Sequence, residues 1–99
     1  MPSYRITLTV GLLRAGVEPE RVLPAAVEAA RVRVTVESHD VAVVRGQARV
    51  TVRCVAEGDE QAVDVARRVR AVLASLADVD GLTVARRYGG RWLPVAPYR

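Results

Sequence analysis

The sequence predicts one α+β domain in which amphipathic helices cover one face of a mainly antiparallel sheet. The chain has 99 residues, which is long enough for one hydrophobic core and too short for two. Several segments alternate apolar and polar residues, as strands with one buried face require. Two other segments carry apolar residues at helical spacing, and no linker or internal repeat divides the chain.

Residues 4 to 30 predict the first strand and the first helix. Alternation from Tyr4 to Val10 indicates a strand, and residues 11 to 17 are expected to form a loop. Pro19 suits the first turn of a helix. Because a proline inside a helix removes a hydrogen bond, the regular helix is expected to begin as late as Pro24, after a separate turn over 18–23. The apolar residues at helical spacing are Val22, Leu23, Ala26, Val27 and Ala30.

The segment from residue 31 to residue 56 allows two interpretations. Alternation predicts strands over 31–37 and 48–56. The residues between them can form an extra strand over 40–45, in a meander whose turn at Gly46-Gln47 pairs Val43 with Val50. Alternatively, one long second strand continues through this region with a β-bulge near Ser38.

The last part of the chain predicts a helix followed by a strand and a hairpin. Gly58 or Asp59 can cap the helix, its apolar stripe runs from residue 62 to residue 76, and Asp80-Gly81 is expected to end it. Residues 82–87 predict the last main strand. A turn at Gly89-Gly90 then leads into a short strand over 92–95, which Pro94 confines to an edge.

The predicted element order resembles the ferredoxin-like βαββαβ plan, an antiparallel sheet with two helices on one face. The extra strand at 40–45 and the C-terminal edge hairpin are additions to that plan. Many unrelated functions share this topology, so the resemblance implies a fold and no activity.

The charged residues predict a basic sheet face. All 15 cationic residues are arginine, which the GC-rich codons of a high-GC bacterium explain without any function. Strand alternation places six arginines outward, with threonines and two acids, Glu37 and Asp40, so that the whole formal charge of +4 falls on one face. Arginine suits phosphate or carboxylate, so we expect an anionic partner, nucleic acid or an acidic protein, unless the face is only solvated. The six are Arg5, Arg31, Arg33, Arg49, Arg53 and Arg87.

An aromatic cluster near the C-terminus predicts an interface. Tyr88, Trp92 and Tyr98 lie in the last twelve residues, among arginines. A Gly89-Gly90 turn sets Arg87 beside Trp92 on the outward face, which suits a cation-π contact or an interface anchor. The alternative is that Trp92 closes the edge of the core. The predicted interface adds apolar residues expected in loop or edge positions, and comprises Leu12, Leu13, Tyr88, Trp92 and Leu93.

The sequence offers little for catalysis. His39, the only histidine, is expected in a solvated turn, and its neighbours Ser38 and Asp40 point elsewhere, so the three do not form a triad. Cys54, the only cysteine, alternates inward and is expected in the core. We therefore expect no catalytic residue, no cofactor and no metal site.

These observations predict a small non-catalytic protein-interaction or assembly module. It is expected to act as a homo-oligomer or as an accessory subunit. The apolar stretches are far shorter than the roughly 20 residues that cross a bilayer, and the start lacks a signal-peptide pattern, so we expect no membrane partner and a cytoplasmic location. The alternative function is binding of nucleic acid or another polyanion through the Arg/Thr sheet face.

Overall fold

The computed structural model describes residues 1–95. In chain order the elements are β1 (Ser3–Leu13), a 3-10 turn (Pro19–Arg21), α1 (Val22–Arg31), β2 (Thr35–Val44), β3 (Gln47–Val55), α2 (Asp59–Ala74), β4 (Ala77–Tyr88) and β5 (Arg91–Pro94). The five strands form one sheet in the order β2-β3-β1-β4-β5, and every neighbouring pair is antiparallel. The predicted α+β class, with an antiparallel sheet and two helices, is confirmed.

One hydrophobic core lies between the sheet and the two helices. Alternate residues of β1 from Tyr4 to Val10 face it, as the strict alternation predicts. Valine and alanine supply most of the core, and the largest fully buried side chains are Tyr4, Ile6, Leu8 and Leu73. In the described part of the chain, both helices lie on this one side of the sheet, and the opposite surface is called the open face below. Among residues 1–95, no helix is long and apolar enough to cross a membrane.

Helix α1 begins earlier and ends later than the sequence indicates. It begins at Val22, so Pro24 occupies the first turn, where backbone N–H groups have no partner within the helix and a proline costs little. The predicted strand beginning at Arg31 is wrong, because α1 continues to that residue. The backbone N–H groups of Arg33 and Val34 both donate to the carbonyl of Ala30, which closes the end of the helix instead of starting a strand.

The long-strand interpretation of residues 35–44 is correct. β2 pairs with β3 along its whole length, and the register shifts by one residue between Val36 and Ser38, which makes Glu37 the bulged residue. The two-residue turn is Arg45-Gly46, with both residues at positive φ. Val43 therefore pairs with Ala48 and not with the predicted Val50.

The predicted helix stop at Asp80-Gly81 is wrong. Helix α2 ends at Ala74, where the Ser75 hydroxyl donates to the Val72 carbonyl, and β4 begins at Ala77. Asp80 and Gly81 lie inside β4, at a bulge where the pairing with β1 shifts and Gly81 has φ 61°. A glycine in this left-handed conformation is characteristic of one class of β-bulge, and it leaves the strand continuous.

The C-terminal hairpin has the predicted turn. Arg87 pairs with Trp92 and Tyr88 with Arg91 across Gly89-Gly90. β5 lies at the edge of the sheet, where Pro94 needs no partner on its outer side. After β5, the Val95 N–H donates to the Val84 carbonyl at 2.8 Å, and the Val95 side chain is buried in the core.

Candidate interaction surface

The two central strands bring arginine and threonine side chains together on the open face. Across β1 and β3 the register pairs Arg5 with Arg53, Thr7 with Thr51, and Thr9 with Arg49. These residues alternate with the core residues, so their side chains share the face away from the helices. All of them except Arg53 line a shallow groove together with side chains from the neighbouring strands, Asp40, Thr83 and Ala85.

Trp92 lies at one end of this groove and is contacted by two arginines. The guanidinium carbon of Arg5 lies 4.6 Å from the centroid of the Trp92 ring, and that of Arg53 lies 5.3 Å from it. Both separations are within the range of a cation-π interaction. The indole is half-buried by these contacts. Arg5, Arg53 and Trp92 are called the tryptophan cluster below.

The structure also places Trp92 relative to the core. Trp92 is on the open face, as predicted, and Val95 is the residue of this segment that reaches the core. Arg87 is its cross-strand neighbour, but the Nε of Arg87 donates to the Gly89 carbonyl at 2.8 Å. The arginines that contact the ring come from β1 and β3. They are far from Trp92 in the sequence, so the sequence does not reveal these contacts.

The predicted charge of +4 on the open face is wrong. Arg31 is in α1, where it pairs with Glu28, and Arg33 is in the turn that follows, so neither belongs to the face. The Glu37 carboxylate accepts from Arg53 at 3.3 Å, and the pairing with Thr9 brings Asp80 to the same side. Four of the six predicted arginines therefore lie on the face, and Asp80 joins the two predicted acids there. The four arginines are Arg5, Arg49, Arg53 and Arg87, and the three acids are Glu37, Asp40 and Asp80.

The remaining basic character of the face is local. Within residues 1–95, neither Arg5 nor Arg49 forms an ion pair, and both are exposed. Thr7, Thr9 and Thr51 lie between them on the central strands. Guanidinium groups without a carboxylate partner, beside hydroxyl groups, can donate hydrogen bonds to an acceptor brought by a partner.

The apolar residues of the predicted interface lie at two separate places. Leu12 is 79% exposed and Leu13 packs against the edge of the core, both at the last residues of β1 and not in a loop. Leu93 and Tyr88 lie in the hairpin at the other end, because Leu93 pairs with Arg86, which pairs with Tyr4. Leu12 is eight positions along the strand from Tyr4, a distance of about 26 Å.

His39 and Cys54, the candidate catalytic residues of the sequence, lie in an exposed strand position and in the core, respectively. His39 lies in β2 and not in a turn, and its side chain is exposed on the side opposite those of Ser38 and Asp40. Cys54 is fully buried, and this burial raises the pKa of its thiol to about 11. In the described part of the chain, no three histidine, cysteine or acidic side chains are grouped as metal ligands.

A polar cluster on the helix side of the sheet is not evident from the sequence. The buried Tyr4 hydroxyl donates to Asp59 Oδ1 at 2.6 Å, and Arg86 lies 3.1 Å from the same oxygen. Burial, and then the hydrogen bond to Asp59, raise the pKa of Tyr4 to about 12. The Tyr4 hydrogen bond and Arg86 lower the pKa of Asp59. Because the residues are 55 and 82 positions from Tyr4, only the cross-strand register identifies the cluster.

Comparisons with protein families, curated proteins and solved structures find no match to this chain. Its surface chemistry is therefore the basis for any inference about its function.

Proposed function

We propose that this chain is a non-catalytic protein-interaction module that binds its partner with the open face of its sheet. It acts as an accessory subunit or within a homo-oligomer, and its expected compartment is the cytoplasm. The observation that supports this best is the tryptophan cluster. Tryptophan and arginine are the residues most often found at the energetic centre of protein interfaces, and here three strands hold them together.

The arrangement of the cluster supports recognition because its side chains are already ordered. Arg53 is held by Glu37 as well as by the indole, and Glu37 in turn accepts from the Ser3 hydroxyl at 2.9 Å. A partner that binds side chains already held in place loses less conformational entropy than one that must order them. The mixed signs of charge on the face favour a protein surface with both donors and acceptors over a uniformly anionic polymer.

We also propose the ferredoxin-like plan for the fold. The element order β1-α1-β2-β3-α2-β4 supports it, and so does the sheet order. Each helix connects two strands that have another strand between them, β3 in one case and β1 in the other, which is the split βαβ arrangement. β5 is then an addition at the edge next to β4.

The test uses the single tryptophan as a reporter of the open face. The immobilised wild-type chain is used to capture partners from a lysate of the source organism, and each captured protein is purified and titrated against the chain by Trp92 fluorescence. The double variant Arg5→Ala with Arg53→Ala should weaken binding at least tenfold, since it removes both side chains that contact the ring. The matched control replaces Arg68 and Arg70 by alanine on helix α2, and should leave binding within twofold. Equal loss in both variants, or in neither, would contradict the proposal.

Polyanion binding is the second candidate, and Arg5 and Arg49 favour it because no carboxylate of the described residues pairs with either of them. A single-stranded RNA of 20 nucleotides is a suitable probe. Binding through this face should fall steeply with salt, and Arg49→Ala should reduce both the affinity and the salt dependence. RNA binding that Arg49→Ala does not change, or that has no salt dependence, would contradict this second function.

A further inference from the structure

The outer edge of β2 is free along a stretch suited to strand pairing. β2 contacts β3 on one side, and on the other side residues 1–95 place no strand. After the bulge at Glu37, the seven residues Ser38–Val44 pair regularly with β3 and contain neither lysine nor proline. Charged side chains, proline and bulges are the usual features that prevent edge strands from pairing with another chain, and in this stretch Asp40 is the one charged residue of that kind.

The backbone of this stretch presents a regular set of donors and acceptors. In a two-residue hairpin, the pair next to the turn exchanges both hydrogen bonds, and here this pair is Val44 and Gln47. From Val44 back to Ser38, every second residue of β2 likewise exchanges hydrogen bonds with β3, and the residues between them do not. His39, Val41 and Val43 therefore direct their N–H and C=O groups to the free edge.

The same residues leave apolar surface uncovered. Val41 is 49% exposed and Val43 is 77% exposed, although both side chains point to the helix side of the sheet. Helix α1 stops short of covering them, which leaves an apolar groove of about 520 Å³ beside Val41, with Leu23 and Pro24 of α1 in its wall. A partner that covers these valines would remove their apolar surface from water, which stabilises the complex.

We propose that a second copy of this chain pairs with the edge of β2, with the two β2 strands antiparallel and the twofold axis at Val41. In this register Val41 faces Val41 of the second copy, His39 faces Val43, and Ser38 faces Val44. The bulge-free stretch thus pairs with itself over its full length. His39, Val41 and Val43, whose backbone groups point to the free edge, form three pairs with the same residues of the second copy. Each pair exchanges two hydrogen bonds.

The length of the paired stretch and one charge repulsion select this register from its neighbours. Val41 is the central residue of Ser38–Val44, so only an axis at Val41 pairs all seven residues. A shift by one residue toward the N-terminus places the twofold axis at Asp40, so that the two Asp40 side chains face one another and repel. A shift the other way sets His39 opposite Arg45, which belongs to the turn, and leaves Ser38 outside the paired stretch.

The dimer extends the proposed assembly role by naming one partner. Two five-stranded sheets join into one continuous sheet, and both open faces lie on the same side because the axis is perpendicular to the sheet. A partner with two binding sites then engages both faces at once, which raises its overall affinity without new contacts.

Sedimentation velocity of the full chain tests the dimer. At high micromolar concentration the wild type should sediment as a dimer, with twice the 10.7 kDa mass of one chain. On dilution it should sediment as a monomer. Val41→Lys sets two ammonium groups against each other at the twofold axis and should raise the dimer dissociation constant at least tenfold. The matched control is Val32→Lys, another exposed valine outside β2, which should leave the dimer unchanged. A wild-type chain that remains a single copy at several hundred micromolar would overturn the proposal, as would equal effects of the two lysine variants.

A cysteine at the axis tests the register without relying on a disruptive change. In a hydrogen-bonded antiparallel pair the Cα atoms are about 5.5 Å apart, which a disulfide can span. Oxidised Val41→Cys should therefore migrate as a covalent dimer, while the buried Cys54 gives no cross-link in the wild type. Ala42→Cys is the control, because its counterpart is about 8 Å away. Cross-linking of Ala42→Cys in preference to Val41→Cys would exclude this register. None of these variants alters the tryptophan cluster, so loss of the dimer and loss of open-face binding are separately measurable.

Discussion

The hydroxyl of Tyr4 in the first strand donates a 2.6 Å hydrogen bond to the carboxylate of Asp59, the first residue of helix α2. Arg86 of β4 lies 3.1 Å from the same carboxylate oxygen, and its guanidinium carbon lies 5.0 Å from the ring centroid of Tyr88. A partly buried polar contact thus connects the central strand β1 with helix α2 and with the neighbouring strand β4. The sequence suggests that Asp59 could cap the helix, but Gly58 is the N-cap and the Asp59 carboxylate is used here.

Tyr4→Phe should destabilise the fold. The ring stays in the core, but Asp59 loses its shortest hydrogen bond, and hydrogen bonds to charged groups contribute about 1.5–3 kcal/mol. We expect the free energy of unfolding, measured with urea, to fall by about 2 kcal/mol. Tyr88→Phe removes a hydroxyl from a tyrosine that is 49% exposed, and should change it by less than about 0.5 kcal/mol. Equal effects of the two substitutions would show that the hydrogen bond from Tyr4 to Asp59 contributes nothing.

Stability should fall at alkaline pH because of Tyr4. Its pKa is about 12 in the folded chain and about 10 in an unfolded one, so between these values the folded chain holds a proton that the unfolded chain has lost. The free energy of unfolding therefore decreases as pH rises through this window, by about 2.7 kcal/mol in all. Cys54 acts in the same direction from pH 9 to about 11. Urea unfolding from pH 8 to 12 should show a shallower decrease for Tyr4→Phe, and identical slopes would rule out this assignment.

At acid pH the sign is reversed for Asp59. Its pKa is lowered in the folded chain, chiefly by the Tyr4 hydrogen bond, so the unfolded chain binds the proton more readily. The stability it contributes is present above pH 4 and is lost as pH falls through the folded pKa. Asp59→Asn should flatten this part of the pH profile of unfolding. Asp64→Asn, in the same helix, is the control and should leave the steep acid limb in place.

The hairpin turn offers a comparison between adjacent glycines. Gly89 has φ 60°, whereas Gly90 is not at positive φ, and an added Cβ would meet no atom within 4 Å at either position. Gly89→Ala should cost about 1 kcal/mol, because only the left-handed backbone conformation is penalised there. Gly90→Ala should change the stability by less than about 0.5 kcal/mol. If thermal unfolding ranked them in the opposite order, the turn conformation would have to differ.

The sequence predicts the elements whose signals are local. Alternation in β1 and the apolar stripe of α2 depend on side-chain periodicity, so both were predicted with their correct faces. The Gly89-Gly90 turn fixed the pairing of Arg87 with Trp92. Boundaries near Arg31 and Asp80 were wrong, because valine alternation continues through the end of α1 and a strand glycine resembles a helix stop.

The sequence by itself determined the α+β class, the buried sides of β1 and β3 and the presence of arginines that could face outward. Only the tertiary structure decided which of these residues meet. The bulge at Glu37 turned that carboxylate toward Arg53, the register brought Arg5 to Trp92, and the length of α1 left Val41 uncovered. These outcomes depend on strand register and helix placement, which arise from packing between distant segments, and the periodicity of one segment carries no information about its neighbours.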